Sequence, residues 1–540
     1  MKTIRFSLLF ALCSLFVVLC SCTSQITTTE VLLTAESGEK CAPAQAITFT
    51  KKVLPYEASV DLNQERQTID GIGGSLTESS AFVLACLPEE TRNAVLRELF
   101  SEDGANFSAA RTMIGASDFT LEGHYSLDDV AGDTLLEHFS LAPDQQGFPK
   151  EKYPQIVDER FDLYHLIKAV AQIKRNQSDS ELRLIASPWT APAWMKDNGK
   201  FYDHENRRGG ALKKECYQVF ADYFIKYLEA YRADGIEFWA VTPENEPMGN
   251  DGSWESMDMP PAAEAEFIGK YLGPTLKSKG FADVKILGFD QNTFEMNPYV
   301  DAIYGNSEAK EHTSGMALHW YGSTVSCFPE HLDSIHNLYP DKILFHTEGC
   351  VDNLGRDPWG GVTDPDGFKE SGWFMNDSFW WNDNATDWAY STPFWPEWHP
   401  KYAPVHRYAQ YIIDGMNHWM TGFVDWNIVL DSIGGPTHVY NHCGAEVMVD
   451  YNNGTVYFTP HFYILKQLSR TIRPGDVVLA SQCGMDGVSL LATRNAEGLV
   501  TLTMLNKNKF VVELPIRLGG EYWGMAHLPA NSLLTARVKP

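Results

Sequence analysis

Two short segments carry carboxyl groups in a setting that suits acid/base work. Thr242-Pro243-Glu244-Asn245-Glu246-Pro247 follows the apolar run Phe238-Trp239-Ala240-Val241 and closes it with proline. His346-Thr347-Glu348-Gly349-Cys350 follows Ile343-Leu344-Phe345 and places glycine directly after the glutamate. A carboxylate at the end of a buried strand is costly unless it is paired or hydrogen-bonded. Two such groups, with protonation set apart by their surroundings, are what cleavage of a glycosidic bond requires. One protonates the leaving oxygen, and the other attacks the anomeric carbon or activates water. The chain has 70 acidic residues, so any pair is easy to find and the flanking residues decide. The competing reading of both glutamates is structural.

The elements that must position this pair form a recurring pattern. Apolar runs ending in polar residues occur at Thr68–Leu76, Phe107–Phe119, Leu182–Pro188, Ile236–Pro247, Val284–Asn292, Gly315–Tyr321, Lys342–Cys350 and Phe423–Asp431. Helix-like stretches such as Lys213–Arg232 and Ala262–Ser278 fall between several of them. Continuous apolar strands alternating with helices predict a parallel sheet covered by helices, and eight units predict a (β/α)8 TIM barrel of class α/β. Chemistry in such a barrel sits at the C-terminal ends of the strands, where these polar residues lie. From Tyr457 onward the runs are short and separated by Gly, Asn and Asp, which predicts an accessory C-terminal β-sandwich over 457–540. The barrel is expected over 66–456, and strands within 46–65 are expected to join the sandwich.

The N-terminus reads as a signal. Lys2 and Arg5 precede an apolar run from Phe6 to Leu19, too short and one-sided for a spanning helix. It ends in Leu19-Cys20-Ser21-Cys22, which resembles the lipobox of bacterial lipoproteins and makes Cys22 the candidate lipidated residue, with residues 1–22 as signal. The alternative is an ordinary cleaved signal. Residues 23–45, rich in Thr and Ser, read as a tether. The implied home is a bacterial cell envelope, with membrane contact only through the lipid. The other seven cysteines are scattered and form no CxxC pair, so neither a disulfide framework nor a zinc site is expected. A net charge of −27 argues against nucleic acid and anionic membrane surfaces as partners. Fifteen Trp suit a surface that stacks on sugar rings.

These motifs together resemble glycoside hydrolase family 30. Asn-Glu-Pro and Thr-Glu-Gly resemble its catalytic motifs, and Ser187-Pro188-Trp189-Thr190-Ala191-Pro192 resembles its Ser-Pro-Trp signature. Gly71-Ile72-Gly73-Gly74-Ser75, Arg111-Thr112-Met113-Ile114-Gly115 with Asp118-Phe119, His319-Trp320-Tyr321, and Asp425-Trp426-Asn427 followed by Gly434-Gly435-Pro436 fit it in order. The resemblance implies a retaining β-glycosidase acting by double displacement, with Glu246 as acid/base and Glu348 as nucleophile. It implies that Asn245 touches the sugar 2-hydroxyl and that Asp118, Trp189 and Trp426 hold the sugar in the −1 subsite. His319 and Tyr321 would stand near the nucleophile, Arg111 would pair with a carboxylate, and Asn441 would border the site. No cofactor or metal is implied. Glucosylceramidase-like β-glucosidase and endo-β-1,6-glucanase are the leading activities, β-xylosidase or β-fucosidase more distant ones, and a glycan-binding lipoprotein the non-enzyme alternative. Glu78 stands where many relatives carry Asp. The segment between Cys350 and Pro404 holds seven Trp, read either as platforms for a glycan or as packing within the loop.

Overall fold

The computed structural model describes residues 25–351, 372–383 and 397–540. Eight parallel strands close into a barrel in chain order: Gly71–Gly74, Ala109–Met113, Arg183–Ser187, Ala240–Val241, Lys285–Asn292, Thr313–His319, Ile343–Glu348 and Met420–Asp425. The last strand pairs with the first through Gly422↔Gly71 to Asp425↔Gly74. Ala109, Ile185, Ala240, Leu287, Ala317, Phe345 and Val424, one from each of seven strands, form a separate apolar cluster, as expected of side chains filling a barrel. The first strand is nearly all glycine for a packing reason. A Cβ on Gly73 would lie 1.8 Å from the Ala109 carbonyl oxygen, so only glycine lets the first two strands approach.

All eight expected runs overlap a barrel strand, and seven of the eight strands end earlier than their runs. In the fourth, only Ala240–Val241 ladders with its neighbours. Pro243 and Pro247 have no N–H to donate, yet the chain between them stays fastened, since Asn245 N donates to Pro188 O and Glu246 N to Asp290 O. In the eighth, Asn427 turns left-handed at φ 60°, a conformation asparagine tolerates. Val429–Asp431 therefore leaves the barrel for a small sheet with Val447–Asp450 and Thr455–Phe458.

Two boundaries are corrected. The module expected from Tyr457 begins later, because Pro460–Thr471 is a helix, capped by Thr459 accepting from Phe462 N and started by Pro460. The accessory sheet resumes at Val477. The tether reading of 23–45 does not hold over the described part: Gln25–Thr27, Glu30–Ala35 and Ala42–Pro43 are strands. Glu30–Ala35 pairs along its length with Ser532–Val538 and buries Val31, Leu33 and Ala35 in the sheet core, and that apolar alternation outweighs the Thr-rich composition. With Thr48–Thr50, Ala58–Thr68 and the six C-terminal strands, they make one eleven-stranded sheet around its own core. The signal and Cys22 lie outside the described residues, and no described helix is long and apolar enough to cross a membrane.

Candidate active site

The site stands on the C-terminal rim of the barrel. Glu348 is the last residue of the seventh strand. Its carboxylate accepts from Arg111 Nη1 at 2.6 Å and from Tyr321 OH at 3.1 Å. Glycine follows because a Cβ on Gly349 would fall 2.6 Å from the Trp320 ring. Glu246 follows the fourth strand with φ 52°, and its Oε1 lies 3.4 Å from His319 Nδ1. One carboxylate oxygen of Glu246, one of Glu348 and a ring nitrogen of His319 all lie within 4.8 Å of one another.

Arg111, wholly buried, organises the floor. Its Nη2 donates to Asn245 Oδ1 and to Asp290 Oδ2, both at 2.7 Å, and its Nε to Ser187 Oγ at 3.1 Å. The guanidinium carbon lies 4.6 Å from the centre of the Trp189 ring, which stacks on Trp426 at 5.2 Å. Asp118 accepts from Asn441 Nδ2 at 2.8 Å, while its Oδ1 is buried without a hydrogen-bond partner. The structure thus brings Arg111, Asn245, Glu246, His319, Tyr321 and Glu348 into one connected network. The Asp118–Asn441 pair lies near enough for the Glu348 charge to act on Asp118, and the two Trp rings pack beside Arg111.

Asp290 was not singled out by the sequence, and it is the hub. Its carboxylate accepts from Arg111, Ser187, Thr242 and Thr347 and faces His319 Nε2 at 3.1 Å. Burial alone would raise it, but Arg111, His319 and Thr347 override that and hold it far below the usual carboxylate range. The only available signal was an acid closing the apolar run Ile286-Leu287-Gly288-Phe289. Burial works against a charged His319, yet the Glu348 charge and the Asp290 and Glu246 contacts push it up to about 9, which favours the protonated ring, and its two nitrogens face Glu246 and Asp290. Burial raises Glu348, and His319 and Arg111 oppose that shift. Burial, reinforced by the Glu348 charge, pushes Asp118 up to about 8.

Of the seven Trp between Cys350 and Pro404, Trp373 and Trp380 are fully buried and stack with 7° between their planes. Trp373 Nε1 donates to Ser432 O. Trp381 is also buried, and Trp398 packs on Phe294 and Phe328. These rings serve packing. Trp359, Trp388 and Trp395 lie outside the described residues.

A (β/α)8 barrel with two close carboxyls on its catalytic rim, held by arginine and flanked by paired Trp rings, has the make-up of a glycosidase. Residues 69–366 and 397–472 match the glycosyl hydrolase family 30 TIM-barrel domain, and the chain belongs to that family. It is a glycoside hydrolase. It is 27% identical over 461 residues to the lysosomal acid glucosylceramidase of Mus musculus, covering 83% of this chain and 77% of that one. Among solved structures, SrfJ from Salmonella typhimurium superposes with a TM-score of 0.77 at 24% identity, covering 95% of this chain and 99% of that one. The endo-β1,6-glucanase BT3312 superposes at 0.70 with 26% identity, covering 94% and 99%.

Proposed function

We propose that the chain cleaves a β-linked glucoside with retention, through a covalent glycosyl–Glu348 intermediate and with Glu246 as acid and then base. The carrying observation is the separation of the two carboxyls. One oxygen of Glu246 lies within 4.8 Å of one oxygen of Glu348. That fits the roughly 5–5.5 Å of retaining enzymes and leaves no room for the water that inverting enzymes seat between carboxyls ~6.5–9.5 Å apart. Arg111 and Tyr321 orient one Glu348 oxygen each. Asp118, Trp189, Trp426, Asn245 and Asn441 are assigned to the sugar in the −1 subsite. Burial and the Glu348 charge favour the protonated form of Asp118 before substrate arrives, and its carboxyl is assigned to the sugar hydroxyls. The test is leaving-group dependence. Glu348→Gln should nearly abolish turnover of every substrate, whereas Glu246→Gln should spare activated aryl glucosides and cripple alkyl ones, because it removes proton donation rather than attack. Equal losses on both, or an α-anomer as first product by NMR, would overturn the assignment.

A glucosylceramidase-like exo-glucosidase is the reading we favour, since Trp373 and Trp380 stack on one another within the segment that follows Glu348 and fold it compactly. The likeness to an endo-β1,6-glucanase supports the second reading. Monosaccharide as sole early product from a long β-1,6-glucan supports the first, and a ladder of oligosaccharides the second. The lipobox-like Leu19-Cys20-Ser21-Cys22 supports lipidation of Cys22 and residence in a bacterial envelope. Cys22→Ala should then move the protein from the membrane to the soluble fraction, and an unchanged membrane fraction would refute the anchor.

A further inference from the structure

We propose that His124, Glu255 and His438 form a binding site for a borderline divalent metal ion of the zinc class, on the same rim as the active site but separate from its two glutamates. The three residues come from loops following the second, fourth and eighth barrel strands, and each offers one donor atom within 4.8 Å of the others. Their separation along the chain hid the grouping from any reading of motif spacing.

The donors are oriented as metal ligands are. His438 Nδ1 lies 3.1 Å from the Thr120 carbonyl oxygen, which favours an N–H pointing there and an Nε2 lone pair pointing away, the tautomer that a backbone carbonyl fixes in metal-bound histidines. Nε2 faces Glu255 Oε2 at 3.0 Å, yet both atoms are buried without hydrogen-bond geometry to any partner. A buried imidazole nitrogen facing a carboxylate oxygen is satisfied by a cation between them, a proton or a metal ion, and the poor alignment of this pair for an imidazolium hydrogen bond favours the metal. The other Glu255 oxygen is pinned by the His124 backbone N–H at 2.7 Å and lies 3.3 Å from His124 Nδ1. Donors around a tetrahedral zinc with bonds near 2.1 Å stand roughly 3.4 Å apart, close to both separations.

Space has been left for this approach. A Cβ on Gly123 would lie 2.3 Å from His438 Nε2 and 2.7 Å from Glu255 Oε1, so only glycine admits the cluster. The Glu255 side chain is fully buried while that of His124 is 53% exposed, which leaves an open side where water completes the coordination. Two imidazoles and one carboxylate favour zinc-like ions over magnesium or calcium, which take oxygen sets. The ion would clamp three rim loops. Beside His438, Thr437 Oγ1 donates to the Asp118 backbone oxygen at 2.8 Å, so the clamp also steadies the sugar-holding side of the cleft.

The experiment is zinc binding by the full chain, stripped with chelator and dialysed against zinc chloride alone. Wild type should retain one zinc per chain by mass spectrometry, gain thermal stability with added zinc, and show visible d–d bands when cobalt replaces it. His124→Ala, on a half-exposed side chain, and Glu255→Gln should each weaken zinc by more than the roughly tenfold to hundredfold lost when a residue that only orients a ligand is removed. Wild type retaining no zinc, or His124→Ala retaining as much as wild type, would overturn the site. Neither result bears on Glu246 and Glu348, which leaving-group dependence tests alone.

Discussion

Arg111 ties Glu348, the proposed nucleophile, to a second buried carboxylate, that of Asp290. Its guanidinium reaches both Glu348 and Asp290, so the charge of Asp290 helps set where Arg111 sits and whether His319 keeps its proton. Asp290→Asn should therefore lower kcat about 10²-fold, the scale of losing preorganised charge at a developing transition state, with little change in KM. NMR of the variant should show His319 titrating well below its raised value. An unchanged kcat and an unchanged His319 titration would make Asp290 a packing residue only. Tyr321→Phe removes a single hydrogen bond to a charged group, about 1.5–3 kcal/mol, so kcat/KM should fall tenfold or more without loss of fold by circular dichroism. Glu246 and Glu348 were legible because each ends an apolar run inside a motif. Asp290 was not, because one acid among 70 carries no signal until the fold places five donors around it.

At the scale of elements, the barrel strands were legible because strands buried on both faces read as unbroken apolar runs. Their lengths were not, because a strand ends where its ladder partners end, and those partners are remote in sequence. Ala240–Val241 is short although the apolar run around it is long. Helix Pro460–Thr471 went unread because its neighbours on both sides are strands, despite the Thr459-Pro460 start signal. Two substitutions probe how tightly these elements are fixed. Gly73→Ala would drive a methyl into the Ala109 carbonyl, and overpacking of this kind costs roughly 1–3 kcal/mol. Trp373→Ala would empty a fully buried stack and leave the Ser432 carbonyl without its donor, for a loss of about 3–5 kcal/mol. Both should appear as lower urea midpoints, and an unchanged midpoint for Trp373→Ala would mean that the ring is not packed as the structure has it.

Across the whole molecule, barrel and sheet share a seam. Gln467 on the Pro460–Thr471 helix donates to Leu32 O and Leu533 O and accepts from Thr34 Oγ1, so barrel helix and sheet are joined by buried polar contacts. The acidic balance of the chain adds a second global property, because several carboxyls are buried where ionisation is costly. Asp144 is the clearest, since it lies outside the catalytic network. Burial, with the neighbouring Glu78 charge, pushes it up to about 8, although Tyr125 OH donates to it at 2.9 Å. An acid whose folded value lies above its unfolded one binds its proton more tightly in the native state. Its contribution is complete below the unfolded value, near 3.8, and is lost progressively as pH rises towards 8. The loss is on the order of 1 kcal/mol per pH unit over that window. Asp144→Asn keeps the shape and can still accept from Tyr125, but it cannot ionise. Urea unfolding of both proteins at about pH 5 and about pH 8 should show the variant gaining on wild type as pH rises. A stability difference that stays constant across that window would mean Asp144 ionises as freely in the folded protein as in the unfolded chain.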